Sequence, residues 1–211
     1  MINQSNIMPK GWLAFELNVL RRIKFTSAAL PFTSDANLGA YLKRWNVHVL
    51  ANDLTQTGWI KAVSAIQNNS ETLSDDDINI VLEDAYVPRY RLQNQSLRNW
   101  FTETDSWWFD NVRQNVEKIS SPISKAIALS LALNVGDYVQ SFTEETLELR
   151  QPLSNVFRRL WSAYQIPVNN RQNNVCSNRN GYEFIAENHA DLMFLRLPKA
   201  HNQTQRNALG W

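Results

Sequence analysis

The alternation of apolar and polar positions changes period several times along the chain, and each change marks an element. Trp12, Phe15, Leu17, Val19, Leu20 and Ile23 predict a first helix. Phe25 to Phe32 is an apolar segment that predicts a strand, and the small polar loop Thr33-Ser34-Asp35 follows it. Leu38, Tyr41, Leu42 and Trp45 then fall at helical spacing, and Val47-His48-Val49-Leu50-Ala51 predicts a second strand that ends at Asp53. A further helix through Trp59, Ile60, Val63 and Ile66 stops at the turn-forming cluster Asn68-Asn69-Ser70.

Residues 71 to 165 carry several stretches of helical period, which predict a helical insertion. Ser74 before Asp75-Asp76-Asp77 is an N-cap followed by a first turn of carboxylates that complement the helix dipole, so this acidic run reads as capping and not as a metal site. Trp108, Val112, Val116 and Ile119 share one helical face. Ser121-Pro122 supplies a cap and a first-turn proline for the next helix, which carries Ile123, Ile127, Leu131, Val135, Tyr138 and Phe142. Leu153, Val156, Phe157, Leu160, Trp161 and Tyr164 form the stripe of a third. The pair Trp107-Trp108 reads as core, with a base-stacking platform as the alternative.

Strand and helix return from 166 to 211. Val175-Cys176 predicts a short strand, Tyr182, Phe184, Ile185 and Ala186 a helix, and Asp191 to Leu197 a further apolar strand. Strands connected through helices in this order predict an α/β fold: a partial Rossmann-like sheet of about four parallel strands carrying a helical insertion. The expected division is 1–70, 71–165 and 166–211, with the outer two segments forming one core.

Composition narrows this picture. With 211 residues, 44% hydrophobic and eight tryptophans, the chain is long and apolar enough for a substantial core. A net charge of +1 gives no global field to concentrate nucleic acid or membrane, so any basic site is a local patch. A lone cysteine, Cys176, excludes an internal disulfide and a thiolate cluster, and fits a reducing cytoplasm. No apolar run reaches membrane-spanning length, MINQSNIMPK lacks a signal-peptide core, and His48, His189 and His201 have no metal-ligand spacing. The expected location is the cytoplasm.

Chemistry concentrates at two places. Asp53 lies at the carboxyl end of the second strand, about twenty residues after the first loop, the position from which a carboxylate accepts hydrogen bonds from ribose hydroxyls. Tyr86-Val87-Pro88-Arg89-Tyr90-Arg91, with Arg98 and Trp100 beyond, interleaves guanidinium groups that pair with phosphates and rings that stack on bases. Arg150, Arg158 and Arg159 are candidates to extend that patch.

Pro31-Phe32 with its small-residue loop, Leu42-Lys43-Arg44-Trp45 and Ala51-Asn52-Asp53-Leu54 together resemble the cofactor-binding end of the adenine-specific DNA methyltransferases. Trp100-Phe101-Thr102-Glu103-Thr104 is similar to that family's Tyr-Phe-Thr-x-Glu segment, and Asp191 to Leu195 to the strand that delivers its Asp-Pro-Pro-Tyr motif. The resemblance implies an S-adenosylmethionine site at Phe32, Ser34, Ala36 and Asp53, and DNA contact at Arg89, Tyr90, Arg91 and Arg98. It also exposes departures. Ser34 and Ala36 stand where the family has loop glycines, and a Cβ at each fills space and disfavours positive φ. Arg196-Leu197-Pro198-Lys199 stands where the family has its catalytic acid or amide and its stacking aromatic.

The expectation is therefore a degenerate relative: inactive alone, with weak or absent cofactor binding, acting on DNA or on a partner. Two alternatives stand beside it, one subunit of a split methyltransferase and a ligand-free scaffold. The strand 191–197, bordered in the family by later strands, is the expected surface for a second copy or a complementary subunit.

Overall fold

The computed structural model describes residues 11–84 and 91–196. Helix α1, Trp12–Leu20, precedes strand β1, Ser27–Leu30; α2, Asn37–Arg44, leads to β2, His48–Asn52; and α3, Gln56–Ala62, continues into a π turn at Val63–Gln67. Four helices follow: α4, Asp75–Val81; α5, Glu103–Val116; α6, Pro122–Gln140; and α7, Leu153–Ser162. The chain then adds β3, Val175–Ser177, α8, Gly181–Glu187, and β4, Leu192–Met193.

All four strands are parallel, in the order β3-β2-β1-β4. Ser27 pairs with His48 and Leu30 with Ala51, Leu50 faces Val175, and Ala28 faces Leu192. The fold is thus mixed α/β with a small, all-parallel, Rossmann-like sheet. Both faces of such a sheet are covered, and the middle positions of β1 and β2 are apolar: Ala28, Ala29, Val49 and Ala51 are completely buried.

The described residues fall into two compact units. Residues 11–69 and 167–196 form the α/β unit, whose core joins Leu30, Leu42, Val49 and Ile66, with Phe25, Trp45, Cys176 and Phe194 at its margin. Helix α1 turns Leu17 and Leu20 into this core and leaves Trp12, Phe15 and Val19 exposed. Residues 70–84 and 91–166 form the helical unit, which buries Ile78, Val81, Leu97, Phe109, Val112, Val116, Ile127, Val156 and Phe157.

Local chemistry explains the element boundaries. Ser74 and Asp77 form a reciprocal capping box at α4, so the acidic run closes a helix start. Ser121 caps α6 with Pro122 in its first turn, and Thr102 caps α5. Two expected strands are shorter than their sequence patterns: β1, expected from Phe25 to Phe32, covers Ser27–Leu30, and β4 is shortened further. Among the described residues of the expected strand 191–197, pairing covers Leu192–Met193, and the Phe194 N–H bond to Ala29 O, at 2.9 Å, extends it. The cause lies at both ends: Asp191 spends its carboxylate on the backbone of Thr26 and Ser27, and Arg196 turns toward charged partners.

Candidate functional site at the carboxyl edge of the sheet

Strand order reverses between β1 and β4, since β2 and β3 extend the sheet to one side of β1 and β4 adds on the other. Ligands of open parallel sheets bind beyond the carboxyl ends of the strands at such a reversal, so the loops after β1 and β4 define the candidate crevice.

The loop after β1 is built from its own polar atoms. Thr33 donates through both its N–H and its Oγ1 to Asn52 O, at 3.0 and 2.9 Å. Ser34 and Ala36 both adopt left-handed backbone, φ 59° and 60°. These are the two positions where the resemblance puts glycine, and the chain takes the glycine-like conformation despite a Cβ that makes it costly. The compensation comes from Asp53. Its Oδ2 accepts the Ser34 N–H at 2.7 Å, while Oδ1 accepts the Thr55 N–H at 2.9 Å and the Thr55 hydroxyl at 2.6 Å. Asp53 is 8% exposed, and an added Cβ on Gly58 would collide with its carboxyl group. One carboxylate thereby fixes the loop and the start of α3, whose cap is Thr55. Both its oxygens are engaged by the chain itself.

Phe32 lies half-buried against the start of α8, where an added Cβ on Gly181 would stand 2.6 Å from the ring. Asn52, missed as a functional position by its apolar surroundings, is completely buried and joins two loops. Its amide donates to Pro31 O and Arg179 O, both at 3.0 Å, and its Oδ1 accepts from Ser177 Oγ and the Arg179 N–H. A polar residue inside an otherwise apolar strand end was the available signal.

At the β4 side, Arg196 is folded back. Its guanidinium makes a two-point contact with the buried carboxylate of Glu16, at 2.5 and 3.1 Å, and reaches Asp35 at 3.2 Å. One arginine therefore ties α1, the β1 loop and the end of β4 together at the strand reversal. Leu197, Pro198 and Lys199 of the same motif lie outside the described residues.

Arg89 and Tyr90 of the arginine-aromatic segment also lie outside the described residues. Arg91 and Arg98 belong to the helical unit, and both are exposed. Arg98 pairs with Glu103 at 3.4 Å. Arg150 is neutralised by Asp105, whereas Arg158, which donates to the Asn79 amide, and Arg159, which lies over the Tyr138 ring, are exposed and keep their charge. Among the described residues no group of three or more histidine, cysteine or acidic side chains is placed to hold a metal ion, and no helix is long and apolar enough to cross a membrane.

Comparison with family models, with curated proteins and with solved structures finds no match for this chain.

Proposed function

We propose that this chain is a non-catalytic, methyltransferase-like binding module that works on DNA or on a partner protein, with little or no affinity for S-adenosylmethionine. The observation that carries this reading is Asp53: the carboxylate that would accept a ribose already accepts three hydrogen bonds from Ser34 and Thr55. A ribose would have to displace contacts that hold the loop, exchanging one set of charge-assisted hydrogen bonds for another at no net gain. Arg196 strengthens the reading. A guanidinium has no acceptor oxygen to stabilise the positive charge that develops on an adenine nitrogen as it attacks a methyl group, the role that an acid or amide at this position would fill.

Calorimetric titration with S-adenosylmethionine and S-adenosylhomocysteine, with a labelled-methyl transfer assay on unmethylated DNA, tests this. The expected result is no binding below about millimolar concentration, where a dissociation constant corresponds to ~4 kcal/mol, and no methyladenine. Submicromolar cofactor binding, or any methyladenine formed by the pure chain, would overturn it.

A second reading, one subunit of a split methyltransferase, is favoured by the sheet edge. Among the described residues β4 pairs only with β1, and Leu195 beyond it is exposed. An edge with unpaired backbone groups is a template for a further strand. This reading expects self-association or capture of a complementary chain, seen as a mass above that of one chain by light scattering and lost on changing Leu195 to Lys. A strict monomer that also restores no transferase activity in mixtures would remove it.

A further inference from the structure

The helical unit contains a cleft of about 570 Å³ between the first turns of α5 and the segment leading into α7. Asp105, Trp107, Trp108, Leu147, Arg150 and Ser154 are among its walls. Its volume is in the range of small-molecule sites.

Two features of this cleft bear on a ligand. Asp105 Oδ1 accepts from Arg150 Nη2 at 2.7 Å, with the two side chains 9% and 15% exposed. That leaves Asp105 Oδ2 and Arg150 Nε, both buried, without a hydrogen-bond partner. Buried polar atoms are almost always paired, and an ion pair that keeps one free acceptor and one free donor bears a cost that a ligand can relieve. The second feature is the indole wall. Trp108 is half-buried and fixed: its Nε1 donates to Ser154 Oγ at 3.0 Å and its ring meets Phe109 edge-on at 5.0 Å. Trp107 beside it is half-buried as well.

The geometry points to a binding site for a nucleobase. The ion pair is neutral overall, so it does not select a phosphate or a carboxylate. Its free atoms ask for a group with a hydrogen-bond donor next to an acceptor, and the indoles ask for a flat ring. A base edge supplies the first and its face the second. Access has a low-cost route: Leu147 sits in the 3-10 turn Glu144–Leu149, which has no buried residue, so it yields more easily than any helical wall. The site lies wholly in the helical unit, so this inference does not rest on the methyltransferase-like reading of the sheet.

The source of the base, a free nucleoside or a single strand of DNA, is distinguished by titrating the full chain in two arms. One uses adenosine, cytidine and uridine; the other uses ten-nucleotide single strands of each base. Binding in either arm is expected, with Asp105→Asn, which turns the free acceptor into a donor, and Arg150→Lys, which deletes Nε, each weakening it about tenfold, roughly one lost hydrogen bond to a charged group. Circular dichroism melts confirm that both variants fold; if either does not, Leu147→Trp, which fills the cleft from its exposed turn, replaces it and is expected to abolish binding. No binding at millimolar nucleoside and at micromolar oligonucleotide, or binding indifferent to the folded variants, would overturn the assignment.

Discussion

Asp53 and Ser34 carry opposite strains on one hydrogen bond. Replacing Asp53 with Ala deletes two acceptor oxygens that take three hydrogen bonds from half-buried Ser34 and Thr55, and because water recovers part of each contact the expected destabilisation is about 2–4 kcal/mol. Urea unfolding reads this directly, and a shift under ~0.5 kcal/mol would mean that Asp53 is not the anchor of the loop. Ser34→Gly acts the other way. Left-handed backbone costs a non-glycine residue about 1–2 kcal/mol, while glycine loses about 0.4–1 kcal/mol through the freer unfolded chain, so a net gain of ~0.5 kcal/mol is expected. Ala36→Gly should be close to neutral, because Ala36 is buried and its methyl contributes about 0.8 kcal/mol that the substitution loses. At this scale sequence located the loop and Asp53 but not their relation. Nothing in the spacing of Ser34 and Asp53 shows that the carboxylate faces inward to a backbone N–H instead of outward to a ligand. The left-handed backbone at Ser34 and Ala36 was equally hidden, since it is imposed by the strands that the loop must join.

At the scale of elements, polar groups between strands and helices determine how stability responds to pH. Lys43 on α2 is completely buried, its ammonium donating to Asn68 O, and burial lowers its pKa from 10.5 to about 8. In β3, burial pushes the Cys176 thiol from 9.0 up to about 12. The two work against each other. From pH 8 to 10.5 the native chain gives up the lysine proton while the unfolded chain keeps it, so stability rises with pH. From pH 9 to 12 the unfolded chain loses the thiol proton while the native chain keeps it, so stability falls. The expected profile rises between pH 8 and 9 and then levels or declines; Cys176→Ala should prolong the rise, and Lys43→Met should erase it, in urea midpoints taken across pH 7.5–10.5. The start of β4 gives the acidic counterpart. Asp191 accepts from the Thr26 N–H and hydroxyl at 2.8 and 2.7 Å and from the Ser27 N–H at 3.0 Å, and these bonds hold its carboxyl down at about 2. Its contribution is complete above the ordinary carboxylate pKa and disappears as pH falls through about 2, so Asp191→Asn should flatten the acid limb of the stability curve in that window. Most elements were legible because hydrophobic period and caps agree: Ser74 and Ser121 each stand where a helix starts. The shortness of β4 was not, because apolar Leu192 to Leu195 reads as strand whether or not its neighbours pair with it. Nor was the asparagine bracing of β2, in which Asn170 donates to Val47 O and Asn174 accepts the Val49 N–H across more than a hundred residues of chain.

On the scale of the whole molecule, the chain leaves the sheet after the π turn and returns to it at β3, so one compact unit is inserted into another. The hydrophobic period of the sequence changes near residue 70 and again after Tyr164. Each unit has its own buried centre: Val49, Leu42 and Ile66 in one, Phe109, Ile127 and Phe157 in the other. The helical unit is also closed by polar contacts of its own, Trp161 Nε1 to Leu73 O at 3.1 Å and Asp110 accepting the backbone N–H groups of Gln93 and Asn94. Residues 70–166 are about as long as the domains that commonly fold alone, and they keep these contacts when excised. The fragment is therefore expected to be helical, monomeric and cooperatively folded, with one thermal transition by circular dichroism. The sheet segments joined by a short glycine-serine linker face a harder task, since β2 and β3 must find each other without the insertion, but the Asn170 and Asn174 contacts lie within that half. If residues 70–166 show no cooperative transition while the intact chain does, the helical unit depends on the sheet for its stability, and a mutation in either core should then lower a single shared melting temperature.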